Sequence, residues 1–149
     1  MAIQFSYHQT RFKLLHPRKT SAWIERVVMA EGSRIGSISY VFCTDRYLLK
    51  INQVYLNHNT LTDIITFDYS ESSKVLDGEI YISVPRVREN AVQFGVDFNT
   101  EMHRVIIHGV LHLLGYKDKS SKDKKWMRAL ERKYLLVGDT SGLKLAIPV

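Results

Sequence analysis

One cysteine in 149 residues excludes an intramolecular disulfide and a cysteine-rich structural zinc site. That thiol, Cys43, closes the apolar run Tyr40-Val41-Phe42 and reads as a buried, inert side chain suited to a reducing cytoplasm. No apolar stretch approaches the roughly 20 residues that cross a bilayer. The opening Met1-Ala2-Ile3-Gln4-Phe5 has no basic region followed by an apolar one, so no secretory start is read there. The expectation is a soluble cytoplasmic protein with no membrane partner. Prolines number only three, and no repeat, linker or low-complexity tract interrupts the chain, so residues 1–149 read as one domain. A charged fraction of 24% gives no sign of disorder, and 45% hydrophobic content can supply a core.

What the chain has in excess is positive charge, +6 in all. Such an excess points to a polyanionic partner, nucleic acid being the commonest. Its placement says more than its size. From Lys117 to Lys133 there are eight lysines and arginines against Asp118, Asp123 and Glu131.

Patterning predicts a strand over 2–6 and a helix over about 21–31, with Trp23, Ile24, Val27 and Val28 on one face and Gly32 closing it. A strand over 35–42 follows, then a helix capped by Thr44 or Asp45 with Leu48, Ile51 and Tyr55 inward. Residues 63–69 read as a strand, 71–77 as a polar loop, and 78–84 as a half-buried strand with Ile80, Ile82 and Val84 on one face. Pro85 suits the first turn of a helix carrying Val87, Ala91 and Phe94. Asn99 or Thr100 caps the next helix, which is apolar nearly all round and so belongs in the middle of the domain. A last helix starts near Ser120 or Ser121, with Trp126, Leu130 and Tyr134 inward and its basic residues outward. This order predicts an α+β domain: a small mixed sheet of about four strands covered by about five helices, with the candidate zinc site on a central helix.

That central helix carries His108-Gly109-Val110-Leu111-His112-Leu113-Leu114-Gly115-Tyr116-Lys117-Asp118. Four residues at 3.6 per turn bring His112 within about 40° of His108, so both imidazoles share one edge. A lone histidine on an apolar helix is more often a hydrogen-bonded core residue. Two on one edge are harder to satisfy, because each buried without a partner costs on the order of a few kcal/mol. One metal ion satisfies both. Gly115 ends the helix, and the turn behind it can fold Asp118 back toward the pair. His108, His112 and Asp118 then offer two nitrogens and a carboxylate oxygen to one zinc ion, leaving a fourth position open, as in catalytic zinc sites. Zinc peptidases place a general-base glutamate after the first histidine; Gly109 stands there and counts against peptide hydrolysis. Glycine also lets a neighbouring segment or a substrate come close.

The motif His-Gly-x-Leu-His-Leu-x-Gly-Tyr resembles the defining motif of the YbeY family of bacterial endoribonucleases. Thr62-Asp63-Ile64-Ile65-Thr66-Phe67 is similar to that family's Thr-Asp-Val-Leu-Ser-Phe strand, and Gly78-Glu79-Ile80-Tyr81-Ile82-Ser83 to its Gly-Asp-Ile-x-Ile-Ser strand. The resemblance implies a zinc-dependent, single-strand-specific endoribonuclease acting in ribosomal RNA maturation, at the 3′ end of small-subunit rRNA, and in ribosome quality control. It implies single-stranded or ribosomal RNA and the small subunit or its assembly factors as partners. Two positions depart from the family pattern. Its third histidine falls on Asp118, whose negative charge lowers the site's net charge and should move activity toward alkaline pH. Its arginine after the tyrosine matching Tyr55 is Leu56 here, which cannot grip a phosphate. His58, nearby, is a partial substitute or a solvated loop residue. Asp63 orients a ligand or caps its strand; no catalytic role is assigned to either. Leu56 favours one rival reading, an assembly factor that binds RNA around a structural zinc with little cleavage. A metallohydrolase of another substrate class is the second rival.

Overall fold

The computed structural model describes residues 2–57 and 61–140. Its elements run β1 (Ala2–Tyr7), α1 (Pro17–Ala30), β2 (Arg34–Cys43), α2 (Asp45–Leu56), β3 (Ile64–Asp68), β4 (Val75–Ser83), α3 (Val84–Phe94), α4 (Phe98–Leu113) and α5 (Ser121–Thr140). The strands form one mixed sheet in the order β1-β2-β4-β3. β1 pairs with β2 and β2 with β4 in parallel, while β3 lies antiparallel to β4 at the edge. Parallel neighbours need a crossover, and α1 supplies the first. The expected α+β architecture, four strands and five helices, is the one observed.

Several boundaries move for identifiable reasons. Pro17 takes the first turn of α1, where a missing N–H costs nothing, so the helix begins four residues before Ser21. β4 takes up Val75, Leu76 and Asp77, which the polar count assigned to a loop; backbone pairing to β2 from Arg34 onward overrides that composition. Val84 is buried as expected but opens α3, with Ser83 accepting the Arg86 N–H as its cap. Asp97, not Asn99 or Thr100, caps α4 and accepts the Thr100 N–H at 2.7 Å. Thr44 does cap α2, accepting from the Tyr47 N–H at 3.1 Å.

The larger core lies on one sheet face. Trp23, Ile24, Val27 and Val28 of α1 meet Ile38, Tyr40 and Phe42 of β2, Ile80 and Ile82 of β4, and Val105, Ile106 and Val110 of α4. The Trp23 Nε1–H donates to the Tyr134 carbonyl of α5 and the Tyr40 hydroxyl to the Ile106 carbonyl of α4, both at 2.9 Å. On the other face α2 covers a smaller cluster of Cys43, Leu48, Ile51 and Ile65. The Cys43 thiol is pushed up to about 12, first by burial and then by Asp45, as an inert thiol should be. Three aromatic residues expected inward point outward instead: Tyr55, Phe94 and Trp126 are 70%, 49% and 58% exposed. On α2 the buried partner of Leu48 and Ile51 is Asn52; on α5 it is Met127, not Trp126, that joins Leu130 and Tyr134.

Candidate metal centre

The site is built where α4 stops being core. Along most of its length α4 is enclosed, with Met102, Ile106 and Val110 fully buried. Gly109 packs tightly on the sheet: a Cβ there would stand 2.9 Å from Ile80 Cγ2 and 3.0 Å from Ile64 Cδ1. The space glycine leaves is therefore taken by β3 and β4, not by a substrate. His108 and His112 lie on the remaining edge, their side chains 13% and 25% exposed.

The helix ends in a Schellman turn. Gly115 takes φ +105°, its N–H donates to the His112 carbonyl at 2.9 Å, and the Tyr116 N–H donates to the Leu111 carbonyl at 3.0 Å. The Tyr116 hydroxyl then bonds Glu31 Oε1 at 2.5 Å, and the other oxygen of Glu31 takes the Tyr134 hydroxyl, so α1 and α5 pin the turn. This return brings Asp118 Oδ2 to 3.3 Å from Nε2 of both histidines, which are themselves 3.0 Å apart. His108, His112 and Asp118 are thus brought together as the sequence predicted.

Behind the histidines stands a charged cluster that sequence reasoning missed. The His108 Nδ1–H donates to Glu131 Oε2 of α5 at 2.5 Å. Arg104 reaches the other Glu131 oxygen at 3.1 Å and grips both oxygens of Glu101, at 2.7 and 2.9 Å. Both glutamates are 2% exposed. Burial opposes the Glu131 charge, but the His108 N–H and the Arg104 guanidinium outweigh it and hold the carboxyl below its usual range. Burial likewise opposes the Arg104 charge, and the two glutamates outweigh it, holding the guanidinium above its ordinary value. A signal for Glu131 exists in the sequence: it shares the inner stripe of α5 with Met127, Leu130 and Tyr134, and a carboxylate on an apolar stripe needs a partner.

The residues fit a metal ion on four counts. A carboxylate can only accept, so the His108 proton sits on Nδ1 and its Nε2 faces His112 and Asp118 as a bare lone pair. Donor separations of 3.0–3.3 Å are close to the edge of a zinc tetrahedron, about 3.3 Å for bonds of about 2.0–2.1 Å. Two buried carboxylates share one guanidinium, and the negative charge left over lies against His108, favouring a cation on its far side. The His112 imidazole is held below its ordinary value, first by burial and then by His108, which keeps it neutral as a ligand must be.

Asp63 stands beside the charged cluster and outside the His108–His112–Asp118 group. Its carboxylate accepts the Asn90 side-chain amide at 3.3 Å and lies 3.8 Å from Arg104, at the wall of a cavity of about 330 Å³ that opens beside His108 and Asp118. His58 falls outside the described residues. Leu56 is half exposed at the end of α2, and the cations lining the cavity are Arg104, Lys124 and Arg128.

The family model described as Endoribonuclease YbeY matches residues 4–137. A Flavobacterium psychrophilum protein named Endoribonuclease YbeY is 50% identical over 129 residues, 87% of this chain and 91% of its own. One of the same name from Porphyromonas gingivalis is 47% identical over 146 residues, 97% of this chain and 96% of its own. This chain belongs to the YbeY endoribonuclease family. The solution structure of a Thermotoga maritima protein is similar with a TM-score of 0.68 at 27% identity, covering 99% of this chain and 97% of that one. Among the described residues no helix is long and apolar enough to cross a membrane.

Proposed function

We propose that this YbeY-family chain is a cytoplasmic, zinc-dependent endoribonuclease that cuts single-stranded ribosomal RNA precursors, at the 3′ end of small-subunit rRNA, and serves ribosome quality control. The observation that carries the metal part is the convergence of His108 Nε2, His112 Nε2 and Asp118 Oδ2 with the His108 proton committed to Glu131. RNA as substrate follows from the family and agrees with the basic flank. When bound, the ion supplies Lewis acidity to a phosphodiester. The chain's own residues do the rest. Glu131 orients His108 and fixes its tautomer; Arg104 keeps Glu131 ionised and in place. Lys124 and Arg128 on the cavity wall draw in the phosphate backbone, with Lys122, Lys125 and Arg132 exposed on the same helix. With Leu56 where the family pattern has arginine, the phosphate-facing cations come from α5.

The test is cleavage of a labelled single-stranded RNA by the purified protein, by a His112→Ala variant and by a chelated sample, with zinc measured by elemental analysis. Cleavage lost in both controls, from protein that stays folded and otherwise carries about one zinc, supports the reading. A zinc-loaded, folded protein that does not cleave, and that unfolds on chelation, favours an RNA-binding assembly factor with a structural ion.

A further inference from the structure

Phe94 is the residue of α3 that the helical pattern places inward and the structure leaves half exposed. It forms a wall between two cavities. One is the cavity of about 330 Å³ beside His108 and Asp118; the other, of about 190 Å³, continues away from the histidines over Val96 and Leu135 toward Arg132. Arg128 stands in the same wall, its guanidinium carbon 5.6 Å from the Phe94 ring centroid and its side chain 55% exposed. Arg104 and Glu131 complete it, each engaged in the cluster behind His108. The second cavity is therefore lined by a half-exposed aromatic ring, a guanidinium set over that ring and an apolar floor, with positive charge at its rim.

We propose that the Phe94–Arg128 cleft is a nucleobase subsite, which takes one unpaired base of the RNA next to the phosphate drawn in by Lys124 and Arg128 beside His108 and Asp118. The proposal deepens the nuclease reading above and rests on it for the identity of the ligand. The chemistry is that of single-strand binding: every base has a π-face that stacks on an aromatic ring or a guanidinium plane, and cations beside it follow the backbone. Charge complementarity favours this occupant over an acidic or neutral peptide, because the two glutamates lining the cleft, Glu101 and Glu131, are both engaged with Arg104. Preference for unpaired RNA follows directly. A base within a duplex is already stacked, and entering the cleft would require it to be pulled out at a cost of about a few kcal/mol.

The test is fluorescence anisotropy of a short labelled single-stranded RNA, in chelator so that no strand is cut, against the wild-type chain and the Phe94→Ala, Phe94→Leu and Phe94→Tyr variants. Phe94→Ala should weaken binding about 5- to 150-fold, the span of one stacked base. Phe94→Leu should weaken it nearly as much, although it keeps apolar volume, and Phe94→Tyr should bind like wild type. Duplex RNA should be indifferent to all three. Folded Phe94→Ala or Phe94→Leu that binds single strands within about twofold of wild type overturns the proposal, as does an equal loss on duplex. The two readings fail separately. A chain that binds through Phe94 but never cleaves with zinc keeps the subsite and loses the nuclease, while zinc-dependent cleavage with Phe94-independent binding does the reverse.

Discussion

The two nitrogens of His108 look into opposite environments. Nδ1 faces Glu131, Arg104 and Glu101, where both carboxylates are buried and every charge has a fixed partner. Nε2 faces His112 and Asp118, at the mouth of an open cavity whose far wall is Lys124 and Arg128. Asp118 is 40% exposed where Glu131 is 2% exposed, although both carboxylates contact the same ring. The difference is one of division of labour. The back is over-determined, so it sets ring orientation and proton position. The front stays accessible, which a site that must admit a polymer requires.

Breaking the back should have the largest effect. Arg104→Met strands two buried carboxylates, and urea unfolding should show a loss of about 3–5 kcal/mol. Glu131→Gln keeps the shape but weakens the acceptor for His108 Nδ1. Zinc affinity, measured by competition with a chromophoric chelator, should fall about 10- to 100-fold. Asp118→Ala should also cost metal affinity, yet the metal-free protein should unfold within about 0.5 kcal/mol of wild type, since the exposed front carries little of the fold. Equal destabilisation by Asp118→Ala and Glu131→Ala would erase the contrast between the two sides. Asp118→His sharpens the comparison by restoring a neutral ligand, and the pH–rate profile should move toward acid.

Smaller effects test what lies farther out. Lys124→Ala should lower the slope of log RNA affinity against log salt by about 0.7, one phosphate contact on a single strand. His103 is the internal control, a histidine of α4 that is pure core: 5% exposed, against Trp23, its Nδ1–H donating to the Asn99 carbonyl at 2.7 Å. Burial holds it below its ordinary value. Its contribution to stability is therefore full above about 6.5 and is lost as pH falls from there through its lowered folded value, because the unfolded chain takes a proton that the folded one resists. Urea unfolding of wild type at pH 7.5 and 5.5 should show this loss, and His103→Gln should flatten it.

Much of the site was legible. His108 and His112 are joined by a helical period, Gly115 marks the stop, and Asp118 lies one short turn beyond, all within eleven residues. Local rules reach that far. Glu131 is 23 residues from His108, and nothing short-range connects them, even though the Glu101–Arg104 pair has the three-residue spacing of helix neighbours. The aromatic misreadings have positional causes. Spacing puts Tyr55 and Phe94 on the buried stripes of α2 and α3, but each sits in the last turn of its helix, beyond the core, while Trp126 lies at the edge of the α5 stripe beside Met127.

By itself the sequence determined the elements, the candidate triad His108, His112 and Asp118, and the family, because periodicity, caps and a glycine stop act through the chain's own neighbours. Only the tertiary structure decided which nitrogen of His108 carries the proton, which carboxylate stands behind it, and that Phe94 faces a cleft. Those outcomes depend on how α3, α4 and α5 pack against one another. Packing is settled by the sum of many distant contacts, so no short stretch of sequence records it.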